Sequence, residues 1–361
     1  PMAGTIAGFD DFLIQAETSK PDQRQELANR YLGSLAQVPI VGGQEAVFLY
    51  RGAAQSVQIL GDMNNWDIDL AEPMVRLESS DLWYWRSNFE EDARLDYRIV
   101  VNGQGAALDP LNRATVPGAQ GPNSELRMPA YQTPPELVPA NQQIPSGNIT
   151  SHTLDSQHLG QTRTFQIYEP PGQIIGQQLP SLYINAGSDY LNLIDTPAIL
   201  DRLIAQRQIP PLLAIFITPI NASQDYSLNE AYAAFLAEEL APAVQEMFGA
   251  SQDPAATGIL GNSLGGLAAL HAAATYPDVF GLVATQSGRF GQDNVALIER
   301  ILRLRPSPAG ADAPRVHLVA GSYETAVKGD SGRENILESN REMAGALELG
   351  GFDAVFDERP E

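Results

Sequence analysis

The stretch Gly258-Ile259-Leu260-Gly261-Asn262-Ser263-Leu264-Gly265-Gly266, followed by alanine-rich chain as far as Tyr276, decides how this sequence is read. Gly258 to Leu260 is an apolar run of strand length, and Gly265 to Tyr276 has the composition of a helix. Between them lies the pattern G-x-S-x-G. A strand that turns sharply into a helix leaves no room for a Cβ at Gly261 or Gly265, and it lifts the intervening serine above the sheet. The helix aims the partial positive charge of its N-terminus at whatever that serine attacks. Ser263 is therefore the candidate nucleophile, and the Leu264 N–H is the candidate first donor to an oxyanion. The bland alternative is an inert serine in a glycine-rich turn, and the flanking strand and helix weigh against it.

A second oxyanion donor is expected from the loop after an earlier strand. Leu182-Tyr183-Ile184 reads as such a strand and runs into Asn185-Ala186-Gly187-Ser188. The Ser188 N–H is the candidate, with an ordinary strand-end turn as the alternative. Outward from these loops, strands and helices alternate. Strands are predicted at 164–168, 182–184, 212–218, 258–260, 282–284, 316–320 and 354–356. Helices are predicted from Thr196-Pro197, with Thr196 as N-cap, at 229–248, ended by Gly249, at 265–276 and at 335–349. The continuous apolar run 212–218 suits a strand buried on both faces. Alternating β and α elements give an α/β fold with a doubly wound, mostly parallel sheet over residues 148–361.

The preceding chain has a different rhythm. Residues 1–39 read as a helical segment, with Leu27, Tyr31, Leu32 and Leu35 at helical spacing. Over residues 40–128, short β-branched and aromatic runs alternate with turn signals such as Arg51-Gly52, Asn64-Asn65 and Asn102-Gly103. That spacing predicts a small all-β, immunoglobulin-like sandwich. Residues 129–147 hold five prolines and read as an extended linker.

Composition narrows the function. With 361 residues, 43% of them hydrophobic, the chain has the size of two domains with a sizeable core. It has no cysteine, which excludes disulfides, thiolate metal sites and a cysteine nucleophile and fits a cytoplasmic location. Lys and Arg total 22 against 44 Asp and Glu, a net charge of −22, so nucleic acid and anionic membrane are disfavoured partners. No stretch approaches the roughly 20 apolar residues that span a bilayer. The start of the chain does not read as a secretory signal. Four scattered histidines make no metal cluster, and no cofactor is implied.

Taken together, residues from about 149 to 361 resemble an esterase family of α/β-hydrolases that includes enterochelin esterases and feruloyl esterases. The carriers are Tyr168-Glu169-Pro170-Pro171-Gly172, then Phe235, Glu239-Leu240 and Pro242 in an F-x-x-E-L-x-P pattern, and the turn Gly261 to Gly266. Tyr276-Pro277, Gln286-Ser287-Gly288, Gly321 with Glu324, and Leu337-Glu338-Ser339-Asn340 continue the match. The earlier domain resembles the β-sandwich at the N-terminus of isoamylases, glycogen-branching enzymes and enterochelin esterases, through Gly61-Asp62-Met63-Asn64-Asn65-Trp66, Leu82-Trp83, Tyr97 and Asp109-Pro110. In some relatives this module binds glucans. A glycan contact through Trp66, Trp83 or Trp85 is one implication, and filling the sandwich core is the other. The family often carries arginines in the loop before its F-x-x-E-L helix. Asn221-Ala222-Ser223-Gln224-Asp225-Tyr226 has none, so an anionic substrate group is not held in that way here.

The resemblance implies a carboxylic-ester hydrolase working through a serine acyl-enzyme on a small-molecule ester, of a siderophore or of the acyl or feruloyl type on glycans. Alternatives are a glycan-binding protein with an inactive esterase domain and an acyltransferase. The serine needs a base, and the base a carboxylate, in the chain order Ser, acid, His. Glu324, after the strand 316–320, is the first choice for the acid, with Asp330 and Glu334 as rivals. The family's histidine follows its last strand, where this sequence stops at Glu361. His152 and His158 precede the sheet, His271 lies on the helix after Ser263 in a packing role, and His317 is expected within a buried strand. The expectation is that the catalytic histidine is not among residues 1–361 and that the chain as given is nearly inactive.

Overall fold

The structure is a computed structural model that describes residues 2–138, 144–172, 176–291, 294–304, 313–329 and 332–361. Its contacts divide the chain into two units: residues 1–132 with 326–333 and 359–361, and residues 133–325 with 334–358.

The first unit opens with helices Ile6–Thr18 and Pro21–Ser34. The Thr5 side chain caps the first by accepting from Gly8 N, and Pro21 begins the second. The two helices bury Phe9, Phe12, Leu27 and Tyr31 against Val47, Leu49 and Leu82, with Phe12 stacked on Tyr31 at 4.1 Å between ring centroids. Behind them stand two four-stranded antiparallel sheets. One has the order Ile40–Gly42, Glu45–Arg51, Leu82–Asn88, Val75–Arg76; the other has Val57–Gly61, Arg94–Val101, Asn123–Arg127, Thr115–Val116. The strict alternation of Val57–Gly61 buries Val57 and Ile59, and Phe48 of the first sheet meets Tyr97 of the second edge-on. Trp83 is buried and donates to the Gly52 carbonyl, Trp85 packs on Phe48 and Phe89, and Trp66 remains exposed.

One departure from the sequence reading concerns residues 326–333, which were expected to lie wholly in the α/β part but group with the all-β unit. The reason is local. The Ala326 N–H donates to the Asn65 side chain at 2.9 Å, and Arg333 grips Asp67 with Nε at 2.8 Å.

The second unit is built on an eight-stranded sheet. Its order is Ala354–Arg359, Arg315–Gly321, Leu282–Gln286, Thr257–Asn262, Ser181–Asn185, Leu213–Ile217, Gln161–Glu169, Asn148–Ser156. Ser181–Asn185 runs parallel to both its neighbours, Thr257–Asn262 to Leu282–Gln286, and Leu282–Gln286 to Arg315–Gly321, while the last two strands of the order are antiparallel. Leu213–Ile217 is buried at every position, as its unbroken apolar sequence requires. Helix Leu264–Thr275 is buried from Gly265 to Ala274 on one side of the sheet, and Leu200 of Thr196–Ala205 joins Ile184 and Phe216 in a separate core. Among the described residues no helix is long and apolar enough to cross a membrane.

Three local expectations are corrected. Asp195, not Thr196, is the N-cap: its carbonyl accepts from the Ala198 and Ile199 N–H groups, while the Thr196 hydroxyl donates to the Tyr190 carbonyl. The predicted helix 229–248 is Glu230–Ala234, a π-helical turn Phe235–Leu240, and Ala241–Phe248. Pro242 has no N–H for a bond to the preceding turn and its ring needs room there, which a widened turn provides. His317 is exposed rather than buried, since Arg315–Gly321 covers only the alternate face bearing Val316, Leu318 and Ala320.

Candidate active site

Ser263 sits at φ 51°, ψ −124°, a backbone conformation that costs a non-glycine residue about 1–3 kcal/mol and persists only where the surroundings enforce it. Here they do. The Ser263 N–H donates to the Gln286 carbonyl at 2.9 Å, while its own carbonyl accepts from Arg289 N at 3.0 Å and from Gly266 N at 3.1 Å. A Cβ on Gly261 would stand 2.2 Å from the Gly265 carbonyl oxygen, so the turn closes only with glycine there. The result is an exposed serine between half-buried Asn262 and Leu264, with Gly261 and Gly265 buried.

Two strand ends meet at this point. Ile184 pairs in register with Leu260, so the loops following Asn185 and Asn262 leave the same edge of the sheet. Neither the Leu264 N–H nor the Ser188 N–H has a hydrogen-bond partner among the described residues. Both belong to the first turns of helices, Leu264–Thr275 and Gly187–Asn192. Gly187 is required by close approach, because a Cβ on it would lie 2.6 Å from Ile217 N. Two unpartnered N–H groups thus follow the matching ends of the neighbouring strands Ser181–Asn185 and Thr257–Asn262.

Glu324, the first candidate acid, follows the strand Arg315–Gly321, two strands over from Thr257–Asn262. Glu324 accepts from Gly321 N at 2.9 Å, and its carbonyl accepts from Leu337 N. Glu334 is engaged by Arg289, which holds its carboxyl below the usual carboxylate range. Asp330 lies outside the described residues.

Residues 156–358 match the model of the Esterase family, described as Putative esterase. The chain belongs to that family. The esterase is 27% identical over 215 residues to the uncharacterized protein YbbA of Bacillus subtilis (strain 168), covering 55% of this chain and 82% of that protein. It is 24% identical over 302 residues to the iron(III) enterobactin esterase of Escherichia coli (strain K12), covering 74% of each. Among solved structures, the ferric enterobactin esterase of Salmonella typhimurium superposes with a TM-score of 0.72 at 21% identity, over 87% of this chain and 88% of that one. That likeness carries the fold, an α/β-hydrolase sheet with an all-β domain before it.

The histidines of the esterase all have their contacts elsewhere. His152 packs on Phe165 and Phe248 and shares a hydrogen bond with Thr150. His158 pairs with Glu238 at 2.8 Å, and His317 lies 3.7 Å from Asp357. His271, buried, faces Arg300 at 3.2 Å and Glu230 at 3.6 Å. Burial, reinforced by Arg300, pushes its pKa down. None of these contacts reaches Ser263. Sequence reasoning missed a set of side chains behind the site: Asn185, Tyr226, Tyr232, and the buried pair Arg163 and Asp225. No motif marks them, because each acts through a partner distant in the chain.

Proposed function

We propose that the protein hydrolyses carboxylic esters through an acyl-enzyme on Ser263, and that its substrate is a siderophore ester of the enterobactin type. Ser263 Oγ attacks the ester carbonyl and loses its proton to a base. The carbonyl oxygen becomes an oxyanion facing the Leu264 and Ser188 N–H groups. Collapse expels the alcohol, which takes up the proton, and water then releases the acid and regenerates the serine. The observation that carries this reading is the exposed, strained Ser263, followed by the unpartnered Leu264 N–H, at the end of a strand whose neighbour leads to the unpartnered Ser188 N–H. The siderophore part rests on the enterobactin esterases among the relatives. The base is not one of the four histidines, whose contacts lie elsewhere, and Glu324 is the carboxylate proposed to orient it. The cytoplasm is the proposed compartment.

The test supplies imidazole as an external base. The protein should add water to enterobactin, seen as a mass gain of one water by chromatography and mass spectrometry. A fluorophosphonate should label Ser263, and Ser263→Ala should lose both activities. Labelling at another residue would overturn the nucleophile. Hydrolysis of p-nitrophenyl butyrate without hydrolysis of enterobactin would overturn the substrate.

A further inference from the structure

An oxyanion hole works only if donors from two separate loops keep a fixed spacing, to within about 0.5 Å. In this fold one donor comes from the nucleophile turn and the other from the loop after Asn185. The second loop needs fastening, because Ala186 stands at φ 55°, ψ 38°, in the left-handed region that alanine rarely occupies. The fastening is visible. The Ala186 N–H donates to the Tyr226 hydroxyl at 2.8 Å. Asn185 Nδ2 donates to the Gly265 carbonyl at 3.0 Å, and Asn185 Oδ1 accepts from the Tyr232 hydroxyl at 2.8 Å. The Tyr226 ring also faces the other loop, where a Cβ added to Gly265 would meet its Cε2 at 3.6 Å. Tyr226 thus bonds one half of the proposed hole and faces the other, and it is almost wholly buried.

Tyr226 is itself immobilised. It ends the short helix Ala222–Tyr226, and the residue before it, Asp225, takes two 2.7 Å hydrogen bonds from Arg163 of the strand Gln161–Glu169. Both members of this ion pair are buried, and Asp225 also accepts from Ile220 N. A bidentate guanidinium–carboxylate pair fixes direction as well as distance. Burial pushes the Tyr226 hydroxyl up to about 12, so it remains a neutral phenol able to accept the Ala186 N–H at any working pH.

We infer that Tyr226, anchored by the Arg163–Asp225 pair, is the positioning residue that orients the Ala186 peptide and thereby aims the Ser188 N–H at the oxyanion. This rests on the reading of Ser263 as nucleophile. Without the hydroxyl, the Ala186 N–H loses its acceptor and the peptide is free to rotate. The loss falls on the transition state, where the oxyanion exists, rather than on substrate binding.

The experiment uses the full chain with imidazole as base and p-nitrophenyl butyrate as substrate, with rates counted per fluorophosphonate-labelled site. Tyr226→Phe should lower kcat by roughly 10–100-fold, less than or equal to the loss of a whole oxyanion donor, with KM within about twofold. Inhibition by a trifluoromethyl ketone, which forms a tetrahedral adduct on serine, should weaken by the same factor as kcat/KM. A merely structural role would reduce the labelled fraction and leave the rate per site alone. Asp225→Asn is the second variant, expected to lower kcat in the same direction. If both variants keep the parental kcat per labelled site, the inference is overturned. The parent reading fails separately, through activity that survives in Ser263→Ala.

Discussion

The Arg289 guanidinium holds both carboxylate oxygens of Glu334, through hydrogen bonds of 2.6 and 2.8 Å. The same residue donates its backbone N–H to the Ser263 carbonyl. One arginine therefore ties the Ser263 turn to the segment leading into helix Ile336–Leu349. Glu334, with both oxygens on Arg289, is poorly placed to orient a histidine as well, which favours Glu324 as the proposed acid.

The pair should be visible in the pH dependence of stability. Arg289 lowers the Glu334 pKa in the folded protein, so its stabilisation is full above the unfolded glutamate pKa of about 4.3 and is lost as pH falls through the lowered folded value. Glu334→Gln should destabilise the protein at neutral pH by about 1–2 kcal/mol, as expected for a half-buried charge-assisted pair. The gap between variant and parent should close below pH 4. Thermal unfolding followed by circular dichroism across pH 3–7 measures both; a constant gap would show that this pair does not titrate as described.

The proposal that none of the four histidines is the base makes a second prediction. Removing one triad member typically leaves about 10³–10⁴-fold catalysis over water. The 361-residue chain should show no more than that on p-nitrophenyl butyrate. His152→Ala, His158→Ala, His271→Gln and His317→Ala should each keep that rate within about twofold. Imidazole should raise the parental rate but not that of Ser263→Ala. A single histidine replacement that abolishes turnover would identify the base inside the chain.

His271 offers a test at milder pH. Its folded pKa lies below the usual value because burial and Arg300 disfavour the imidazolium, while Glu230 opposes them weakly. The unfolded chain binds that proton first, so stability should fall as pH drops from about 6.5 towards the folded pKa. The groups facing the ring are Arg300, Glu230 and, through Arg300, the Thr275 hydroxyl. In His271→Gln the slope between pH 5 and 7 should flatten, read from urea midpoints; an unchanged slope would assign it to other groups.

Trp66 is the aromatic in the all-β unit most open to a sugar. It is 37% exposed, and it borders a cavity of about 470 Å³ lined also by Asp62, Asp96, Arg98 and Asn123. Trp83 is buried and Trp85 packs on phenylalanines, so no multi-ring stacking platform forms with them. Titration of the whole protein with maltooligosaccharides should show no binding at millimolar concentration. Saturable binding that disappears in Trp66→Ala would establish the glycan contact instead.

How much of this was legible in the sequence depends on what enforces each feature. The Ser263 turn was readable because its geometry excludes a Cβ at Gly261, and that leaves a fixed pattern in the chain. Leu213–Ile217 was readable because burial on both faces demands an unbroken apolar run. Tyr226 and Ala186 are 40 residues apart, and Arg163 and Asp225 are 62 apart. Their pairing follows from the order of strands, which no local spacing encodes. His317 misled because apolar neighbours suggest a fully buried strand, whereas Arg315–Gly321 buries alternate residues at its start.

The π turn at Phe235–Leu240 also sets a limit on evolutionary change. Before it, Tyr232 reaches Asn185; after its widened loop begins, Glu239 accepts from Ser156 and from the Gln157 and His158 N–H groups. A helix advances about 100° per residue, so the extra residue of a π turn sets the angular phase between these two attachments. Deleting one residue here would give a more regular helix but swing one attachment away from its partner by about a quarter turn. Lineages that shorten this helix by one residue should therefore also lose either the Tyr232–Asn185 tie or the Glu239 cap, whereas point substitutions on its surface carry no such penalty.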